Sequence, residues 1–352
     1  MKEQPCEGRP CEEQALVIGL AAFDDTHLSK NGELSLTACI ENDCAESLSH
    51  SPAMDGATPA DPKNSVIVRM TGGLGNQLFQ YATARAHAFR HNRPLILDIR
   101  PLTNCSLRDY DLHHFAIQGT IGTEQTLPPG RDNKLRYGLW RLSSDARSRL
   151  LREASIGSKV DLSSAAANVI LHGYWQTEQH FAEFANIIRA DLQVKTKPSV
   201  ENEHLLSQIA TTTAVSVHIR RGDYVASQKN QSVFASCSLD YYQRAAEHII
   251  QQVSTPVHFY VFSDDPDWVQ AEITLPSSMT LVRHNCGKTA YEDLRLMHHC
   301  DHHIIANSTF SWWGAWLNPA PEKIVVAPNQ WFHGEANNRQ QIVPNTWHTI
   351  SN

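Results

Sequence analysis

The sequence predicts an α/β protein made of two doubly wound parallel-sheet domains facing a cleft, with an N-terminal appendage. Three observations predict this class. The chain has 352 residues, room for two domains at roughly 100–200 residues each. From residue 65, short β-branched runs alternate with amphipathic helical patches, the order that builds a parallel sheet covered by helices. The alternation returns after about residue 200, past a polar stretch containing Pro198.

Residues 1–63 are polar and end in the linker-like "SPAMDGATPADPKN", which predicts an appendage. "SVIVRM" then reads as a strand and "TGGLGN" as a turn. "QLFQYATARAHAFRH" reads as a helix with Leu78, Ala82, Ala86 and Phe89 on one face, and "PLILDI" as the next strand. Helical patches "YGLWRLSSDARSRLLREA" and "QHFAEFANIIRADL" flank the apolar "NVILHGYW" and complete a domain over 64–200. "VKTKPSVENEH" marks its polar boundary. Over 201–352 the reading alternates: strand "AVSVHIR", helix "LDYYQRAAEHIIQQV", strand "VHFYVFS", strand or loop "MTLVRH", helix "AYEDLRLMHHC", strand "HHIIA", helix "STFSWWGAWL", strand "KIVVAP". Ligands of two such domains are expected at the carboxyl ends of the strands.

Composition excludes several classes. A net charge of −7 with 19% charged residues argues against nucleic acid as a partner. "ALVIGLAAF" is far shorter than the roughly 20 residues that cross a bilayer. Glu12 and Glu13 stand where a secretory leader carries basic residues, so a cytoplasmic protein is expected. Eight scattered cysteines without C-x-x-C spacing are read as reduced thiols.

The candidate chemistry begins in "AVSVHIRRGDYV", where a strand ends in two arginines. Arg220 and Arg221, bracketed by His218 and Asp223, offer planar donor forks suited to phosphate oxygens; the plainer reading is an ion pair with Asp223 or another acid. In "IIANSTFSWWGAWL" a strand runs into a helix start, where Ser308, Thr309 and Ser311 are candidates to hold phosphate with the free N–H groups, or simply to cap the helix. The glycines of "GGLGNQ" do not match the dinucleotide fingerprint or a phosphate loop. Gly73 and Gly75 permit close approach of backbone to ligand, and Asn76, at the helix start before Gln77, is a candidate to cap the helix or contact a substrate, the plainer reading being a structural turn. "MHHCDHH" has poor metal-ligand spacing, and "SDD" lacks the spacer of an acidic metal motif, so no metal is expected.

"MTGGLGNQLFQYATARA", "HIRRGDYV", "FYVFSDDPDWV", "YEDLRLMHHCDHHIIANSTFSWWGAWLN" and "KIVVAPNQWF" together resemble, in that order, the α-1,2-fucosyltransferases of glycosyltransferase family eleven. The resemblance spans about residues 65–335. It implies a GT-B-like fold of two Rossmann-type domains, GDP-β-L-fucose as donor and a galactose 2-hydroxyl as acceptor. Inversion to an α linkage and no required metal or other cofactor are also implied. It further implies that Arg220 holds the β-phosphate, that His218 and Asp293 face the guanine, and that Ser308 and Ser311 lie near the diphosphate. Asp223 is the first candidate for the base and Asn76 the second. The expected acceptor is a galactose-terminated oligosaccharide or lipid-linked glycan, with peripheral membrane contact left open. A non-catalytic nucleotide- or glycan-binding protein of the same fold is the alternative, and a zinc hydrolase on the histidine cluster a third.

Overall fold

The structure, a computed structural model, describes residues 61–103, 108–130, 133–153, 160–222, 232, 234–333 and 342–352. The expected appendage, apart from residues 61–63, lies outside them.

Two parallel sheets form, as the alternation predicts. The first has β1 (Val66–Arg69), β2 (Leu95–Asp98), β3 (Thr120–Ile121), β4 (Leu150–Arg152) and β5 (Ile170–His172) in the order β3-β2-β1-β5-β4. The second has β6 (Thr213–Ile219), β7 (Val257–Ser263), β8 (Met279–Val282), β9 (His302–Ile304), β10 (Val325–Pro328) and β11 (His348–Ile350) in the order β11-β10-β9-β6-β7-β8. Helices accompany the first sheet as α1 (Leu74–Arg90), α2 (Arg100–Thr103), α3 (Lys134–Arg141), α4 (Ser144–Arg149) and α5 (Ala185–Asp191). With the second come α6 (Val200–Ile209), α7 (Leu239–Gln252), α8 (Pro266–Glu272), α9 (Ala290–His299) and α10 (Thr309–Leu317). Val66, Ile67 and Val68, like Ala214 through Ile219, are buried along the whole run, because helices cover both faces of a parallel sheet.

One apolar core draws on both sheets, holding Val66, Val68 and Leu97 together with Val325 and Ala327. Trp312, Trp313 and Trp316 surround α10, and a helix apolar on every side must be covered on every side. α10 packs on α1: Phe79 lies 4.4 Å from Trp312 and 5.0 Å from Trp313, ring centre to centre, and Phe181 stacks on Trp313 at 5.4 Å. Arg189 of α5 covers the Trp316 ring at 4.5 Å, while the Trp316 indole donates to Glu178 at 3.0 Å.

Two local expectations are corrected. The polar boundary placed over 194–204 runs into α6, which Ser199 caps by accepting from the Asn202 N–H at 3.3 Å. Leu205 and Ile209 bury against Tyr260 and Phe262, so two apolar residues spaced four apart, not the mean polarity, decide the helix. The patch read as one helix over 137–154 divides at Ser143, which caps α4, and then becomes β4, because Leu150 and Leu151 find a ladder partner in β5.

Candidate active site

In each sheet the strand order reverses once. Successive strands leave β1 through β2 and β3 on one side, with β5 and β4 on the other; likewise β6 is followed outward by β7 and β8 on one side, with β9 and β10 on the other. Open α/β sheets bind ligands in the crevice outside the carboxyl ends at such a reversal. The motif residues fall at these two points.

At the first crevice the turn after β1 meets the segment after β5. Gln176 donates to the Asn76 side-chain oxygen at 2.9 Å, fixing the amide that follows the glycines. Gly72 has φ +78, and a Cβ there would stand 2.6 Å from Asn76 Nδ2, so the turn requires glycine on both grounds. The Arg108 guanidinium sits beside Gly73, 3.5 Å from where a Cβ would be. Gln77 points inward: it donates to the Gly72 and Asp109 carbonyls at 2.9 and 2.8 Å and accepts from the Asp111 N–H at 3.0 Å. Burial thus makes Gln77 a strap for the 108–111 loop, not a group presented to an acceptor.

At the second crevice Arg220 follows β6 and pairs with Asp264 at 2.9 Å. The other oxygen of Asp264 accepts from the Arg221 N–H at 2.8 Å. The Arg221 side chain departs, covering Trp268 at 3.7 Å and reaching Asp265 at 3.4 Å, because it leaves the strand toward the opposite face. Both arginines thus pair with the acids of "SDD"; Asp223 lies outside the described residues. His218 is buried with Nδ1 unpartnered, its ring 5.6 Å from Phe310. Burial lowers its pKa to about 4, with Asp264 raising it and Arg220 lowering it, so the imidazole is neutral near pH 7.

β9 leads to α10, whose N-cap Ser308 accepts from the Phe310 N–H at 3.3 Å. Ser311 is fully buried and donates its hydroxyl to the Ala306 and Ser308 carbonyls at 3.4 and 3.2 Å. That placement withdraws it from any diphosphate. Thr309 faces the first crevice: a Cβ on Gly75 would stand 2.6 Å from Thr309 Oγ1 and from the Phe310 nitrogen. Trp313 completes the contact by donating to the Gly75 carbonyl at 3.1 Å. Backbone-to-backbone contact at Gly75 thus brings the two crevices together.

Asp293 of α9 accepts from Asn285 at 2.8 Å, in a network with Asn202 and His284. Burial raises its pKa to about 7, the Asn285 bond opposes the rise and the Glu292 charge adds to it. The histidine cluster diverges: His298 and His299 meet the Leu294 and Arg295 carbonyls, His302 meets the Ile324 N–H, and His303 is buried between Ser216 and Asn318. Among the described residues, no three His, Cys, Asp or Glu side chains are grouped to hold a metal ion.

A family model described as glycosyl transferase family 11 matches residues 153–351, more than half of the chain. The chain belongs to glycosyltransferase family 11. Two Escherichia coli proteins are similar to this family 11 chain over nearly their whole length. An alpha-1,2-colitosyltransferase is 32% identical over 80% of this chain and 97% of its own, and the O-antigen biosynthesis glycosyltransferase WbnK is 31% identical over 79% and 98%. Human galactoside alpha-(1,2)-fucosyltransferase 1 is 24% identical over 74% of this chain and 67% of its own. The solved fucosyltransferase NodZ from Bradyrhizobium aligns with a TM-score of 0.45 at 18% identity, covering 73% of this chain and 94% of that one.

Sequence reasoning missed Gln176, Arg108 and Asp264 as residues of the candidate site. Gln176 lies 100 residues from Asn76, and its own neighbourhood carries no motif. Asp264 is visible in "SDD", which by itself reads as an acidic metal motif lacking its spacer or as plain loop and cap composition; its place after β7, next to β6 in the sheet, makes it the partner of Arg220.

Proposed function

We propose that the protein transfers L-fucose from GDP-β-L-fucose to the 2-hydroxyl of a terminal β-galactoside, inverting the donor to an α-1,2 linkage. The observation that carries this reading is the position of Arg220 at the carboxyl end of β6, held by Asp264 across the reversal from the start of α10. As the glycosidic bond breaks, negative charge collects on the departing diphosphate. A guanidinium and helix N–H groups fixed there interact more strongly with the transition state than with the ground state. The neutral His218 and the Asp293 network supply hydrogen bonds to the guanine, and Ser308 and Thr309 line the diphosphate. Asp223 is assigned as base from its place in the sequence. Asn76, held by Gln176, orients the acceptor hydroxyl for proton removal. No step calls for a metal, so chelator-treated protein is expected to retain activity.

The test is incubation with GDP-fucose and a β-galactoside oligosaccharide. An α-1,2-fucosylated product supports the reading, and GDP binding without transfer to any β-galactoside supports the non-catalytic alternative. The 32% identity to the alpha-1,2-colitosyltransferase favours a second reading, colitose as the donor sugar. A higher kcat/KM for GDP-colitose than for GDP-fucose on the same acceptor decides for it.

A further inference from the structure

α3 lies outside the motif segments of both crevices. Leu135, Leu139 and Leu142 stand at i, i+4 and i+7 and are 74%, 62% and 70% exposed, one apolar row turned to solvent. The opposite face holds the helix down: Trp140 packs beside Ile67, Ile96 and Ile170 and donates to Asp145 at 3.2 Å. Buried Arg149 pins the following helix by donating to the Pro62 and Ser65 carbonyls at 2.7 and 3.1 Å. The outward leucines therefore do not belong to the core. Lys134, Arg136, Arg141 and Arg147 are exposed around the row, and Asp145, the acid between residues 134 and 149, is engaged by Trp140 and Arg149.

We propose that α3 seats the protein on an anionic lipid bilayer, with Leu135, Leu139 and Leu142 entering the headgroup boundary and the basic side chains facing lipid phosphates. Charge complementarity selects this occupant. A strongly basic patch on a chain of net charge −7 is what holds an otherwise acidic protein against a negative surface. The apolar row would gain nothing from a nucleic acid but is removed from water by a bilayer. Among the described residues no helix is long and apolar enough to cross a membrane, so the contact lies in the interface plane. The inference goes beyond the proposed reaction and stands without it.

Sedimentation of the full chain with vesicles tests it, with no donor or acceptor present. Binding is expected to mixed phosphatidylglycerol–phosphatidylcholine vesicles, to weaken as salt rises, and to be at least tenfold weaker on phosphatidylcholine alone, at about fivefold per basic contact. The triple variant Leu135→Ser, Leu139→Ser, Leu142→Ser is expected to lower partition on the order of 100-fold. The pair Arg136→Gln, Arg141→Gln is expected to lower it roughly 25-fold. Both should melt at the parent's temperature, because neither set is in the core. Absence of binding to anionic vesicles, or unchanged partition of the triple variant, overturns the proposal. So does slow maleimide labelling of Leu139→Cys without vesicles, which would mean that another part of the chain or a second copy covers the row.

Discussion

Asp264 holds Arg220 and Arg221 with different oxygens, taking the Arg220 guanidinium at 2.9 Å and the Arg221 main-chain N–H at 2.8 Å. One carboxylate at the end of β7 thus sets both the direction of the guanidinium and the turn that carries it. Arg220→Ala is expected to lower kcat by about 10²–10³, the cost of removing one fixed group from a charge-bearing leaving group. Asp264→Asn keeps the N–H contact and loses the ion pair, so a smaller loss of roughly tenfold is expected. Single-turnover rates with GDP-fucose check both; equal losses would mean that Asp264 does more than orient.

Arg221 serves as a contrast. Its guanidinium covers Trp268, away from Arg220, so Arg221→Gln should leave kcat within about threefold and lower stability by roughly 0.5–1 kcal/mol, read as a fall in Tm.

Gly75 is the point where the two sheets' crevices meet. Gly75→Ala inserts a methyl group where backbone atoms of Thr309 and Phe310 already stand, and overpacking of that kind costs about 1–3 kcal/mol. Trp313→Phe removes the indole donor across this contact while the Gly75 carbonyl keeps its place in the α1 ladder, at about 0.5–1.5 kcal/mol. Denaturant titration of both variants checks the pair, and an unfolding midpoint unchanged in Gly75→Ala would place the helices further apart than described.

Asn76 and Gln176 should act as one unit. Asn76→Ala is expected to lower kcat/KM for the acceptor more than for GDP-fucose, and Gln176→Ala to reproduce part of that loss. The double variant should lose less than the sum of the two, because both single changes disturb one hydrogen bond. Strict additivity would separate their roles.

Asp293 makes stability depend on pH in a stated direction. Its folded pKa, about 7, lies above the usual value of 3.8, so the folded chain holds the proton more tightly than the unfolded chain. The resulting stabilisation is complete below about pH 4 and is lost as pH rises through 7. Asp293→Asn should therefore gain on the parent in Tm between pH 4 and pH 7, with the difference level above that; a constant difference across the range would refute it.

Much of the fold was legible because its signals are local. Alternating β-branched runs and helical faces placed most strands and helices within a few residues, and "HIRRGDYV" marked the end of β6. The reading failed where a long-range partner decided the outcome. Leu150 and Leu151 became β4 only because β5 was there to pair with. α6 sits in a stretch too polar on average to look buried, yet two of its apolar side chains meet Tyr260 and Phe262. In the site, Ser311 looked equal to Ser308 in sequence, but the helix turns one hydroxyl to the cap and the other inward to carbonyls.

By itself the sequence determined the two parallel sheets, the charged turn after β6 and the glycine turn after β1, since backbone sterics and side-chain periodicity act between near neighbours. Only the tertiary structure decided that Arg220 belongs to Asp264, that Arg221 and Ser311 turn away, and that the two reversals meet at Gly75. Those outcomes depend on which strands become neighbours and how closely α1 and α10 approach, and both are settled by packing between residues distant along the chain.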